Sequence, residues 1–296
     1  MVTETAATSM PRTIGALLTG EGETPMSIPI PAVWQRLATA VVFIPIFVWV
    51  VAAAPAAVFY ALVVAVGGAA SWELLRMFER AGHRTLGPIG VAATITTIGG
   101  FIVSDRGPLI AFTLAAFVVL SVPIFMRGEL ATEPALTAVL SMTYIGWLLG
   151  HAIVLRQLPD GAWLVLFAVG ATWAGESAAY AAGNAVGRHP LAPRVSPRKT
   201  VEGAAAQVVV SVLAAMLLRA WLVPYWSVLQ ASLAGLLLGV VGQVGDLAES
   251  VIKRSLNTKD TGGLIPGHGG VLDRLDSLLF NVPALVYYVT LLEISA

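Results

Sequence analysis

The chain has 296 residues, of which 57% are hydrophobic and 11% charged, with a mean hydropathy of +0.83. Soluble domains average about 45–50% apolar and about 25% charged residues, so an ordinary soluble enzyme is excluded, and the apolar excess excludes disorder. Seventeen basic residues balance seventeen acidic ones and there is no cysteine, which removes disulfides and thiolate chemistry and gives no basic bias toward a nucleic-acid partner.

Residues 1–30 carry Thr, Glu, Pro and Gly without an apolar period and read as a flexible tail. The tail lacks the basic start and apolar run of a secretory signal. From Trp34 onward, apolar stretches recur at about 36–54, 56–77, 86–104, 108–126, 134–156, 161–185, 203–223, 229–249 and 277–294. About twenty apolar residues cross a bilayer core of about 30 Å. The expectation is therefore an all-α, polytopic integral membrane protein with nine transmembrane helices. Residues 31–160 form its N-terminal helices, and 161–296 a C-terminal region with two polar loops, 186–202 and 250–276.

Nine crossings sort the charges. The face holding both long loops and the N-terminus carries Arg12, Arg36, Arg76, Arg80, Arg84, Arg127, Arg188, Arg194, Arg198, Lys199, Lys253, Arg254, Lys259 and Arg274. The other face holds only Arg106, Arg156 and Arg219. Basic residues collect on the cytoplasmic side of membrane proteins, so the N-terminus and both loops are expected there. Eight or ten crossings would spoil this sorting.

The chemistry gathers in those two loops. Asp246, Glu249, Ser250 and Lys253 follow one another at i, i+3, i+4 and i+7, which is one helix face. Asp273 and Asp276 share a face at the start of the ninth stretch. Carboxylate oxygens suit Mg²⁺, with substrate phosphates completing its shell. Gly262, Gly263, Gly267, Gly269 and Gly270 would let backbone N–H groups approach a polyphosphate. In the first loop, Ser196 or Thr200 could cap the following helix, while Arg198 and Lys199 add positive charge. Each cation also has a topological reading, because cytoplasmic loops carry Lys and Arg in any case. Glu176 lies within the sixth stretch, where a charge costs about 2.5–3.5 kcal/mol on insertion scales and is functional by default. Gly146/Gly150 and Gly235/Gly239 have small-xxx-small spacing and read as packing within one chain; a homodimer is compatible with the sequence. His83, His151, His189 and His268 lack zinc-like spacing, and His151 reads as structural.

The stretch Ser250 to Asp276 contains Ser250-x-Ile252-Lys253-Arg254, Lys259-Asp260, Gly262, Ile265-Pro266-x-His268-Gly269-Gly270-Val271 and Asp273-Arg274-Leu275-Asp276. It resembles the signature of the phosphatidate cytidylyltransferase (CDP-diacylglycerol synthase) family, with every fixed position filled. Ser196-Pro197-Arg198-Lys199-Thr200-Val201-Glu202-Gly203 is similar to that family's second motif. The resemblance extends loosely over 165–294, whereas the N-terminal half matches only in being hydrophobic. It implies a multi-pass enzyme of phospholipid synthesis in the cell membrane, with its site at the cytoplasmic face. Such an enzyme takes CTP and phosphatidic acid to CDP-diacylglycerol and pyrophosphate, with Mg²⁺ and also K⁺ as implied ions.

On this resemblance Asp246, Asp273 and Asp276 hold metal, and Lys253 joins them in catalysis. Substrate binding falls to Glu176, Ser196, Arg198, Lys199, Thr200, Glu202, Gly203, Ser250, Arg254, Lys259, Asp260, His268, Gly269, Gly270 and Arg274. One departure stands out: where the family has Asp in the sixth stretch, Trp173-Ala-Gly-Glu176 carries Glu. A second is Arg198, where Lys is common. Two other readings compete. A CTP-dependent polyprenol kinase, or a cytidylyltransferase for another lipid phosphate, would share these charges. A transporter would want polar or broken helices at mid-membrane, not ionisable groups at one face.

Overall fold

The computed structural model describes residues 30–126, 132–262 and 269–295. The expected tail over 1–29, Arg127 and the stretch 263–268 with His268 lie outside the described residues.

Each of the nine apolar stretches is a helix. They are α1 (Ile30–Ala52), α2 (Ala56–Arg80), α3 (Pro88–Val103), α4 (Gly107–Phe125), a rod formed by α5 (Glu133–Ser141) and α6 (Leu148–Gln157), α7 (Gly161–Val186), α8 (Val201–Leu222), α9 (Val228–Ser255) and α10 (Asp276–Ser295). Six of these are long and apolar enough to cross a membrane: α2, α4, the Glu133–Gln157 rod, α7, α8 and α9. With them go the shorter apolar α3 and the apolar segments Val41–Ala52 of α1 and Asp276–Leu292 of α10. The α4 face bearing Leu109, Leu114, Phe117, Ile124 and Phe125 is exposed. So large an apolar surface is at home in lipid, not water.

Local chemistry sets the helix ends. Pro stands in the first turn of α3, α4 and α5, where its missing N–H has no partner to lose. A capping box starts α9: Ser227 Oγ accepts from Gln230 N at 3.1 Å, and Gln230 Oε1 accepts from Ser227 N at 2.7 Å. Between α5 and α6 the rod passes through a π-helical turn, Met142–Trp147. The first polar loop is partly ordered as a hairpin, β1 (Pro190–Ala192) pairing antiparallel with β2 (Ser196–Thr200). The sequence had placed a polar loop here; its prolines are compatible with a two-stranded edge, which needs few N–H donors.

Close approaches at small residues hold the bundle. A Cβ on Gly146 would meet Thr97 Cβ at 3.1 Å, and one on Gly150 would run into the Phe101 ring, so this pair seats the rod on α3. Gly235 and Gly239 do the same for α9 against Ser211, Val212 and Val208 of α8. Both pairs are therefore seams within the chain, as their spacing suggested. Ser71, Thr94 and Ser141 form a fully buried triangle of hydroxyls, with Ser71–Ser141 2.7 Å and Thr94–Ser141 3.0 Å apart, tying α2, α3 and α5. His151 is buried between Trp147 O (2.8 Å) and Tyr287 Oη (3.0 Å) and keeps its structural role.

Candidate active site

The second loop's helix face exists as read, because α9 continues past the apolar stretch to Ser255 and so includes Lys253. Asp246 lies on it, with Glu249 fully buried one turn on. Asp276 opens α10. The two helices meet here because residue 245 is glycine: a Cβ there would sit 2.6 Å from Asp276 O and 3.1 Å from Phe280 Cβ. With no side chain in the way, one carboxylate oxygen each from Asp246, Glu249 and Asp276 lie within 4.8 Å of one another. Three carboxylates so close in a partly buried site repel one another strongly unless cations intervene.

Two lysines do intervene. Lys199 Nζ, at the end of β2, is 2.5 Å from Asp246 Oδ2. Lys253 Nζ bridges Glu249 Oε2 at 2.9 Å and Asp273 Oδ1 at 2.8 Å. Glu249 Oε1 has no hydrogen-bond partner among the described residues. The donor set is all carboxylate oxygen, which fits a hard divalent cation such as Mg²⁺. Asp273 stands apart from the three. It also accepts from Thr261 Oγ1 at 2.9 Å, Gly270 N at 3.0 Å and Thr261 N at 3.3 Å. Burial pushes the Asp273 carboxyl up, but Lys253 and these donors outweigh it and hold the carboxyl below its ordinary range.

Other residues implicated by sequence divide into those facing this cluster and those that build its walls. Glu176, on α7, interacts with Ser277, Asp246, Arg274 and Lys199, so the Asp-to-Glu departure lies at the cluster. Ser250 is buried on α9 beside Glu249. Thr200, not Ser196, caps α8, accepting from Gly203 N at 3.1 Å. Gly203 lets α8 approach α7, since a Cβ there would lie 2.8 Å from Ala179 O. Glu202 turns back to His189 Nδ1 (2.6 Å) and the Arg188 amide (3.1 Å), stitching the hairpin to its own helix. Arg254 donates to Val195 O (3.1 Å) and Thr258 O (3.0 Å), joining the second loop to the hairpin. Arg198, Lys259, Asp260 and Arg274 are exposed at the same end. Ser196 lies at the start of β2. Gly269 adopts φ +80°, which favours glycine.

Three residues near the site were not assigned roles from sequence. Glu249 lies on the helix face read from sequence and joins Asp246 and Asp276 in the carboxylate group, while Asp273 meets Lys253. Tyr144 lies in the π-helical turn, its ring packed on Phe280 with centroids 6.4 Å apart. Its buried hydroxyl lies in the field of Glu249, Asp276 and Asp246; π turns often mark functional positions. Glu73 reaches the second loop from α2 and is 3% exposed. The signal for Glu73 was available: an ionisable residue inside an apolar stretch.

The described residues form a bundle of apolar helices, as in a multi-pass membrane protein, with lysine-bridged carboxylates where two polar segments meet. The cytidylyltransferase family profile matches residues 34–292, and the chain belongs to that family. It is 32% identical to the phosphatidate cytidylyltransferase of Bacillus subtilis over 266 residues, covering 87% of this chain and 97% of that one. The Synechocystis phosphatidate cytidylyltransferase is 46% identical over 141 residues, 46% of each chain. The uncharacterized protein YnbB of Escherichia coli is 38% identical over 191 residues, covering 61% of this chain and 63% of that one.

Proposed function

We propose that the chain is a phosphatidate cytidylyltransferase, joining CTP and phosphatidic acid into CDP-diacylglycerol and releasing pyrophosphate. The observation that carries this reading is the meeting of Asp246, Glu249 and Asp276 beside Lys199 and Lys253, in a family member built of apolar helices. The lipid phosphate oxygen is already a nucleophile, so no covalent enzyme intermediate is needed. It attacks the α-phosphorus of CTP; the bond from that phosphorus to the bridging oxygen of the β-phosphate breaks; and pyrophosphate leaves with the electron pair. The obstacle is charge, since two polyanions must meet.

Asp246, Glu249 and Asp276 would hold Mg²⁺, which supplies charge neutralisation at the attacking and leaving oxygens. Lys199 and Lys253 balance the carboxylates and would add positive charge for the substrate phosphates beside them. Asp273 keeps Lys253 in place. Arg198, Lys259 and Arg274 line the same end and would draw in CTP. K⁺ is a further candidate ion for the carboxylates. Nine crossings, with the N-terminus and this site on the cytoplasmic side of the cell membrane, accord with the sorting of basic residues. That orientation would meet CTP from the cytosol and phosphatidic acid from the inner leaflet.

The test is purified protein with α-labelled CTP, phosphatidic acid and Mg²⁺. Label entering lipid with an equal release of pyrophosphate, both abolished by EDTA, is expected. CDP as the nucleotide product would replace this reading with a kinase acting on a lipid alcohol.

A further inference from the structure

The second loop is held from the far half of the chain. Glu73 Oε2, on α2, accepts a hydrogen bond from Leu272 N at 3.0 Å, across 199 residues of sequence. Its carboxylate fills a notch with glycine on both sides. A Cβ on Gly262 would lie 2.7 Å from Glu73 Oε1, and one on Gly270 would lie 2.7 Å from Oε2. These two glycines therefore leave room for an internal carboxylate, where spacing alone had suggested an approach to substrate phosphate. From the notch the connection to the site is short. Leu272 opens the 3₁₀ turn Leu272–Arg274 that contains Asp273. Gly270 N donates to Asp273 Oδ2 at 3.0 Å, and Asp273 Oδ1 accepts from Lys253 at 2.8 Å. Burying a carboxylate is expensive unless its oxygens are used. Glu73 Oε2 is used on this turn, and Oε1 faces Gly262 with no partner among the described residues.

We propose that Glu73 is a positioning residue: it seats the turn carrying Asp273, and through Asp273 it sets Lys253 against Glu249. The N-terminal half thereby contributes to a site whose recognisable motifs all lie in the C-terminal half. The catalytic consequence rests on the cytidylyltransferase reading, whereas the seating of the turn does not.

The test compares wild type, Glu73→Ala and Glu73→Gln by hydrogen exchange and by kcat and KM for CTP. In Glu73→Ala, loss of one buried acceptor should speed exchange in the peptide covering 269–276 by about tenfold and lower kcat by a similar factor. KM should move less than kcat. Glu73→Gln keeps an oxygen for the Leu272 amide and should restore both values to within about threefold. Unchanged exchange in Glu73→Ala would overturn the proposal. So would exchange accelerated across the whole bundle, or Glu73→Gln as impaired as Glu73→Ala. If Glu73→Ala does not fold, Gly262→Ala, which presses a methyl on Oε1, should loosen the same peptide; tight exchange there would also overturn the proposal. If wild type transfers no cytidylyl group, the functional reading fails, and the exchange data alone still decide the role of Glu73.

Discussion

Asp246, Glu249 and Asp276 place negative charge where two ammonium groups are close by, and this makes residue roles separable. A carboxylate that holds metal should alter the Mg²⁺ requirement when neutralised, whereas one that only holds a lysine should not. Asp246→Asn, Glu249→Gln and Asp276→Asn should each lower turnover by about a hundredfold or more and raise the Mg²⁺ concentration needed for half-maximal rate. Asp273→Asn should slow the enzyme while leaving that concentration unchanged, because Asp273 is engaged by Lys253, Thr261 and Gly270. Mg²⁺ titrations of the four variants decide this, and a shifted requirement in Asp273→Asn would return Asp273 to the metal. Glu176 extends the comparison. It faces Asp246, Lys199 and Arg274 from α7, so its charge, more than its length, should matter. Glu176→Asp should keep turnover within about threefold of wild type, and Glu176→Ala should not, since it leaves nearby cations short of a partner. Steady-state rates at saturating CTP measure both.

At the scale of elements, the close contact between α9 and α10 decides whether the carboxylates meet. A methyl at residue 245 would press on the Asp276 carbonyl and Phe280, and neither backbone nor ring can yield cheaply. Gly245→Ala should therefore destabilise the protein by about 1–3 kcal/mol and lower turnover by spreading the cluster. Gly99→Ala is the control: a Cβ there meets nothing within 4 Å, so that helix-interior change should be neutral or stabilise by about 0.5–1 kcal/mol. Thermal unfolding in one detergent, with rates alongside, separates the two.

The contrast also shows which parts of the structure were legible in sequence. Helices were, because an apolar run in lipid has only one way to satisfy its backbone. The face shared by Asp246, Glu249 and Lys253 was legible from its periodicity. That Asp246 and Asp276 would meet, thirty positions apart in the chain, was not, because it depends on one glycine permitting one close approach. The π turn was hidden because six residues are too few to reveal a changed period. The hairpin was hidden in a segment that reads as a polar loop. Glu73 was hidden only by its apolar surroundings, which were themselves the clue.

For the whole molecule the open quantity is how many helices cross. Among the helices that form the nine apolar stretches, with the α5–α6 rod taken as one, α3 is the shortest. Its sixteen residues span about 24 Å at 1.5 Å per residue, against a hydrocarbon core of about 30 Å. The charge pattern nonetheless asks it to cross: Arg84 precedes it among the many basic residues of one face, and Arg106 follows it among the three of the other. Local thinning of the bilayer around a short helix costs only fractions of a kcal/mol per Å, less than moving the basic residues to the wrong side. Because the chain has no cysteine, single replacements report topology without background. Arg84→Cys, Arg106→Cys and Arg194→Cys all alter exposed positions. In intact cells a membrane-impermeant maleimide should label Arg106→Cys alone; after permeabilisation it should label all three. Equal protection of the first two in intact cells would mean that α3 does not cross, and the nine-helix sorting would fall. Labelling of Arg194→Cys before permeabilisation would turn the catalytic end away from the cytosol, where CTP could not reach it.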